Sequence, residues 1–166
     1  MVSQKNRQYM LYFELVGTLL DSPEFIRLDR FSHHYGVSRM RHCINVSYYS
    51  FVLCKRLGLD YTAAARGGLL HDLFFYECSK KRFGALKHAA LHPKLALRNA
   101  ERLTALTDKE KDIIAKHMCL FDKVLPRYAE SYVVSMVDKY CAVYEALYGV
   151  FQLLRLKIAW AYGWAA

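Results

Sequence analysis

At 166 residues, with 54% hydrophobic and 23% charged residues, the chain can bury one sizeable core and is too apolar to be disordered. Its formal charge of +9 suits anionic partners; because the basic residues are spread out, with only the short Lys80-Lys81-Arg82 run, it favours a phosphorylated small molecule or nucleotide over a nucleic-acid groove. No apolar run is long enough for a bilayer: Glu14 interrupts the first, and Arg155 and Lys157 end the one from Ala146 to Leu154, so the expectation is a cytoplasmic protein without a membrane partner.

Residues 6–20 place Met10, Leu11, Phe13, Leu15, Val16, Leu19 and Leu20 closer to a 3.6 than a 2 period, which predicts a helix ended at Asp21-Ser22-Pro23. A short second helix is expected over 23–30 and a loop from Phe31 to Gly36. Ser38 is an N-cap for a helix over 39–57 that stops at Gly58. There His42 shares a face with Val46, Tyr49, Leu53 and Leu57, as the polar member of an apolar stripe; a lone histidine in that place is ordinarily a hydrogen-bonded core residue. Asp60 is an N-cap for a helix expected over 61–76, which carries Gly67-Gly68-Leu69-Leu70-His71-Asp72. Neighbouring helical residues diverge by about 100°, so a cation between these directions is within reach of both His71 and Asp72. The two glycines leave room beneath the imidazole for another helix or a ligand.

Residues 77–91 read as basic and irregular. Pro93 suits a first helical position, which puts His92 at a helix entrance and extends the helix to about Leu103. Thr107-x-x-Glu110 is a capping box for a helix over 108–118 that ends in His117, on a face with Ile113 and Ile114. Pro126 breaks the next loop. A last long helix is expected from about Glu130 to Leu156, with Gly149 as a point of interruption; on it Asp138 shares a face with Val134, Ser135, Cys141, Ala142 and Glu145. No stretch alternates as a strand would, so the fold class is all-α. The five cysteines form no CxxC pair, and most read as buried thiols of a reducing compartment.

Six metal-capable residues thus occupy helix positions turned to the core: His42, His71, Asp72, His92, His117 and Asp138. A buried carboxylate needs a partner, and imidazole with carboxylate suits Mn, Fe and Zn and, less well, Mg. Two neighbouring cations can clamp a phosphate and acidify the attacking water.

The order His, His-Asp, His, His, Asp resembles the HD superfamily of metal-dependent phosphohydrolases. It is carried by His42-Cys43-Ile44-Asn45-Val46, Gly68-Leu69-Leu70-His71-Asp72, His92-Pro93, Ile113-Ile114-Ala115-Lys116-His117 and Val137-Asp138. The run His71-Asp72-Leu73-Phe74-Phe75-Tyr76-Glu77 is similar to that of small stand-alone bacterial HD-domain proteins. The resemblance spans roughly residues 30–148 and implies a compact HD-domain helical bundle, one domain over 1–166 with flanking terminal helices. It implies a four-ligand site of His42, His71, Asp72 and Asp138, with His71 and Asp72 central to catalysis. His92 and His117 are the added ligands of members with two divalent ions, which Asp72 would bridge; His88, four residues earlier, is the alternative to His92. Two departures stand out: Phe75 occupies the place of a phosphate-contacting lysine found in many members, and the Gly-Tyr-Pro signature of the cyclic di-GMP branch is missing.

Lys80, Lys81, Arg82 and Lys87 are candidates for gripping phosphate, though a solvated loop has the same composition. Lys116 and Lys139, each beside a proposed ligand, are further candidates, as are Arg39 and Arg66. Asn45, one turn after His42, can orient a ligand or substrate from behind. The same ligand set also serves a di-iron HD-type oxygenase, as in myo-inositol oxygenase. A non-catalytic, metal-stabilised nucleotide-sensing domain is the reading that the missing lysine favours.

Overall fold

The computed structural model describes residues 3–32, 36–76, 85–119 and 124–161, and of 85–88 and 156–161 the backbone alone. The fold is all-α; among the described residues the single extended pairing is an isolated bridge between Ser32 and Ser38. Helix α1 covers Gln4–Leu20 and α2 covers Pro23–Ile26, followed by a 3-10 turn over Arg27–Arg30. The others are α3 (Arg39–Leu57), α4 (Tyr61–Leu70), α5 (Ala85–Leu103), α6 (Asp108–Lys116) and α7 (Ala129–Ala161).

Local chemistry sets most of the starts. Ser38 accepts a hydrogen bond from the Arg41 amide and Asp60 from that of Ala63, satisfying amides that have no partner inside their helices. Thr107 and Glu110 form the reciprocal capping box. Gly58 ends α3 at a φ of 69°, a left-handed conformation that glycine adopts without strain.

Three boundaries differ most from the sequence expectation. Helix α4 ends at Leu70, not 76. Beyond it Arg39 of α3 donates to the carbonyls of Phe74 (2.7 Å) and Tyr76 (3.0 Å), and Asn99 of α5 donates to that of Leu73 (2.8 Å), so these carbonyls are held across the fold. Helix α5 already runs from Ala85, with Pro93 inside it, so His92 lies mid-helix and not at an entrance. Helix α7 passes through Gly149 without a break and continues to Ala161.

The apolar core has two clusters. One joins α1 and the Phe25–Leu28 region to Cys43, Phe51, Leu69, Leu70, Leu73 and Ile114; the other joins Val46, Cys54, Ala63, Ala64 and Ile113 to Val133, Val134, Val137 and Cys141 of α7. Helices α3, α4 and α6 contribute to both and form the spine of the molecule. Close approach along this spine depends on two glycines. A Cβ on Gly68 would stand 3.1 Å from Ser47 Cα of α3, and one on Gly67 would stand 2.8 Å from Ile113 Cγ2 of α6. The patch under His71 is therefore filled by neighbouring helices. The buried arc of α3 runs through Arg39, His42, Cys43, Val46, Ser47, Ser50, Phe51 and Cys54, while Tyr49 and Leu57 are exposed. Small polar residues share that arc, which moves its centre off the apolar stripe of the sequence.

Candidate metal centre

Three helices of the spine each deliver one histidine. His42 stands within α3, His71 is the C-cap of α4 and His117 the C-cap of α6. His92 comes from α5, Asp72 from the turn after His71, and Asp138 from α7; all six are buried.

His71 and His117 are oriented by the same device. His71 Nδ1 donates to the Gly68 carbonyl at 2.7 Å and His117 Nδ1 to that of Ile114 at 2.9 Å, each three residues back. The proton thus sits on Nδ1, and Nε2 presents a lone pair to the interior. Burial, with repulsion from the imidazoles of His71 and His92, lowers the His117 pKa to about 3 and keeps it neutral. His92 Nε2 lies 2.8 Å from His117 Nε2, so it donates there.

Asp72 faces both halves of the cluster. Its Oδ1 is 3.4 Å from His92 Nε2 and 3.6 Å from His117 Nε2, and its Oδ2 is 3.8 Å from His71 Nε2. Asp138 Oδ1 accepts from His42 Nε2 at 3.0 Å and stands 3.6 Å from His71 Nε2, while its Oδ2 accepts from Lys139 Nζ. Burial alone would raise the Asp138 carboxyl, but the hydrogen bond from His42 and the charge of Lys139 hold it well below the usual carboxylate range. Burial alone would lower His42, yet Asp138 and Glu145 together raise it to about 9.

Two overlapping sets of donor atoms result, His42–His71–Asp138 and His71–Asp72–His117, each within 4.8 Å. Donors about 2.1 Å from one ion at ordinary coordination angles stand roughly 3.0–3.4 Å apart; the carboxylate–imidazole separations within the two sets are 3.0, 3.6, 3.6 and 3.8 Å. His71 Nε2 is buried and makes no hydrogen bond, although it faces two carboxylates. A lone pair so placed is unfavourable by itself and is what a cation would satisfy. The donor set therefore fits one or two divalent ions.

The other predicted site residues fare differently. Lys139 is half-buried at the cluster, donating to Asp138 and, at 3.1 Å, to the His117 carbonyl. Lys116 turns instead to Asp112, one helical turn back. Arg66 pairs with Glu110, and Arg39 is buried under the segment after Asp72, with its guanidinium 3.7 Å from the Phe74 ring centre, so neither is a phosphate grip. Asn45 donates to Glu145, not to a member of the cluster. Phe75 packs near Phe31 and under Arg27. Lys80, Lys81 and Arg82 lie outside the described residues, as do the side chains of Lys87 and His88. Sequence reasoning missed Glu145, which binds His42, and Asn99, which fixes Leu73. Glu145 left a signal: it lies two turns after Asp138 on the same face.

No family model and no solved structure matches the chain. Part of it is similar to Ribonuclease Y of Clostridium perfringens strain 13, with 41% identity over 54 residues, covering 31% of this chain and 11% of that protein. Ribonuclease Y of Clostridium tetani strain E88 is 46% identical over 39 residues, 24% of this chain and 8% of its own length. The matched stretch is thus about a tenth of each curated relative. By name these relatives are ribonucleases. Among the described residues, no helix is long and apolar enough to cross a membrane.

Proposed function

We propose that the chain is an HD-type, metal-dependent hydrolase of phosphate esters. The observation that carries this reading is the convergence of buried imidazole nitrogens on Asp72 and Asp138, with the lone pair of His71 Nε2 turned to both carboxylates. His42, His71 and Asp138 would hold one ion and His92 and His117 the other, with Asp72 offering one oxygen to each half. Divalent ions bound there supply an acidified water and neutralise charge on phosphoryl oxygens.

The chain's own groups do the remainder. The Gly68 and Ile114 carbonyls keep His71 and His117 in the tautomer that leaves Nε2 free. Arg39 and Asn99 fix the backbone after Asp72, which limits the swing of its carboxylate. Lys139 holds a positive charge at the rim, suited to a phosphate oxygen. No side-chain nucleophile is needed. The partial likeness to Ribonuclease Y brings nucleic-acid phosphodiesters into the substrate class, beside the phosphorylated small molecules and nucleotides favoured by the spread of charge.

The test is a panel of phosphate monoesters, nucleotides, diesters and short oligoribonucleotides. Each is offered to chelator-stripped protein before and after adding Mn or Fe. Turnover should appear only with the ion and fall about 10²-fold or more in His71→Ala and in Asp72→Ala. Turnover indifferent to chelator and to both substitutions would contradict the reading, as would inertness across the whole panel.

A further inference from the structure

His42 is held at both ring nitrogens by buried carboxylates: Nε2 stands 3.0 Å from Asp138 Oδ1 and Nδ1 stands 2.9 Å from Glu145 Oε2. The two acids are not equivalent. Asp138 belongs to the converging donor atoms, whereas Glu145 lies at the opposite edge of the ring and outside both sets. A carboxylate only accepts, so both ring nitrogens donate in the ion-free chain; an ion at the cluster would take the place of the Nε2 proton, while the Nδ1 proton stays on Glu145.

Glu145 is itself fixed. Its Oε1 accepts from Asn45 Nδ2 at 3.1 Å, and Asn45 lies one turn along α3 from His42. Asp138 and Glu145 lie two turns apart on α7, so one helix face grips the imidazole from both sides. Glu145 is 4% exposed and is the sole charged residue between positions 140 and 154. Burying a carboxylate in so apolar a stretch is costly unless a partner answers it.

The other two spine histidines are backed differently. His71 and His117 donate from Nδ1 to neutral backbone carbonyls, and among these three His42 alone donates to an anion. An anionic acceptor fixes the tautomer more firmly and makes the far nitrogen a stronger donor to a cation.

We propose that Glu145, braced by Asn45, is a positioning residue for the metal centre: it locks the Nδ1–H form of His42, aims Nε2 at the ion shared with His71 and Asp138, and strengthens that donor. This rests on the metal-centre reading above. Glu145 stands outside both donor sets, so its effect is read in ion affinity and not in activity alone.

The test strips the full chain of ions and titrates Mn or Zn against a chromophoric chelator. Wild type is compared with Glu145→Ala, Glu145→Gln and Asn45→Ala, and ion-free melting and helicity are recorded alongside. The Kd of the tighter ion should rise about 10- to 100-fold in Glu145→Ala. It should rise less in Glu145→Gln, whose amide oxygen still takes the Nδ1 proton but carries no charge, and least in Asn45→Ala. A merely structural role lowers ion-free melting and leaves the Kd of the folded protein unchanged. If Glu145→Ala fails to fold, Glu145→Gln decides: a Kd raised by more than about threefold supports the proposal and a smaller change overturns it. Wild type that binds no ion overturns the metal-centre reading and this inference together. Wild type that binds, with variants that bind equally well, overturns this inference alone.

Discussion

His71 and His117 close their helices alike, each turning Nδ1 back to a carbonyl that the helix leaves unbonded. Asp112 shows the same economy at a charged site. Its Oδ2 accepts from the Arg127 amide at 2.9 Å and from Ser131 Oγ at 2.7 Å, and its Oδ1 pairs with Lys116, so one carboxylate ties α6 to the start of α7. Burial would raise this carboxyl, but Lys116, Ser131 and the Arg127 amide bring it below the usual value. A group with a depressed folded pKa contributes its stability above the unfolded pKa and loses it as pH falls through the folded one. Asp112→Asn should therefore cost about 1–3 kcal/mol near pH 7, and the gap from wild type should close as pH falls through the lowered folded pKa, below the ordinary carboxylate range. Urea titrations at several pH values check this; an equal gap at both ends would refute it. At this scale the sequence exposed residues whose polarity conflicts with an apolar face, such as His42 and Asp138. It could not expose partners fixed by folding. Glu145 meets His42 across 103 positions, and Arg39 meets backbone carbonyls that carry no sequence signature.

Helix α4 is clasped between α3 and α6 at Gly67 and Gly68, and this sets where His71 emerges. Gly67→Ala would gain helix propensity of about 1 kcal/mol but would drive its Cβ to 2.8 Å from Ile113 Cγ2 in a packed core. The net expected loss is about 1–2 kcal/mol. Ile113→Ala alone should cost about 2–5 kcal/mol through the cavity it leaves. Because the two changes share that space, the double variant should lose less than the sum. A double-mutant cycle from denaturant melts measures the coupling, and strict additivity would mean that the two helices do not meet as described. Helix starts were legible because a cap is a local bargain between one side chain and the next turn, as at Ser38, Asp60 and Thr107. The end of α4 was not. Leu73, Phe74 and Phe75 continue its apolar pattern, and the interactions beyond Leu70 come from α3 and α5. The start of α5 misled for a related reason. A proline suits a first turn, because within a helix it loses the bond to the carbonyl four residues back and crowds that carbonyl, yet Pro93 is carried inside α5.

At the scale of the molecule, α3, α4 and α6 link the two apolar clusters, and the polar centre grows from the same three helices, with α5 and α7 completing it. The all-α class followed from periodicity, and the six residues His42, His71, Asp72, His92, His117 and Asp138 do come together from separate segments. The substrate is less legible, because the basic run 80–82 and the Lys87 side chain lie outside the described residues, and of the basic candidates whose side chains are described only Lys139 is placed at the cluster. The central claim is that this cluster is a metal centre with Asp72 shared between two positions. Elemental analysis of ions per chain, on protein reloaded with Fe, Mn or Zn and freed of excess, tests it most directly. Wild type should hold between about one and two ions, Asp72→Ala should lose both, and His117→Ala should lose only the second, with helicity unchanged in each. Less than about a third of an ion per wild-type chain after reloading, or equal loss from both variants, would contradict it.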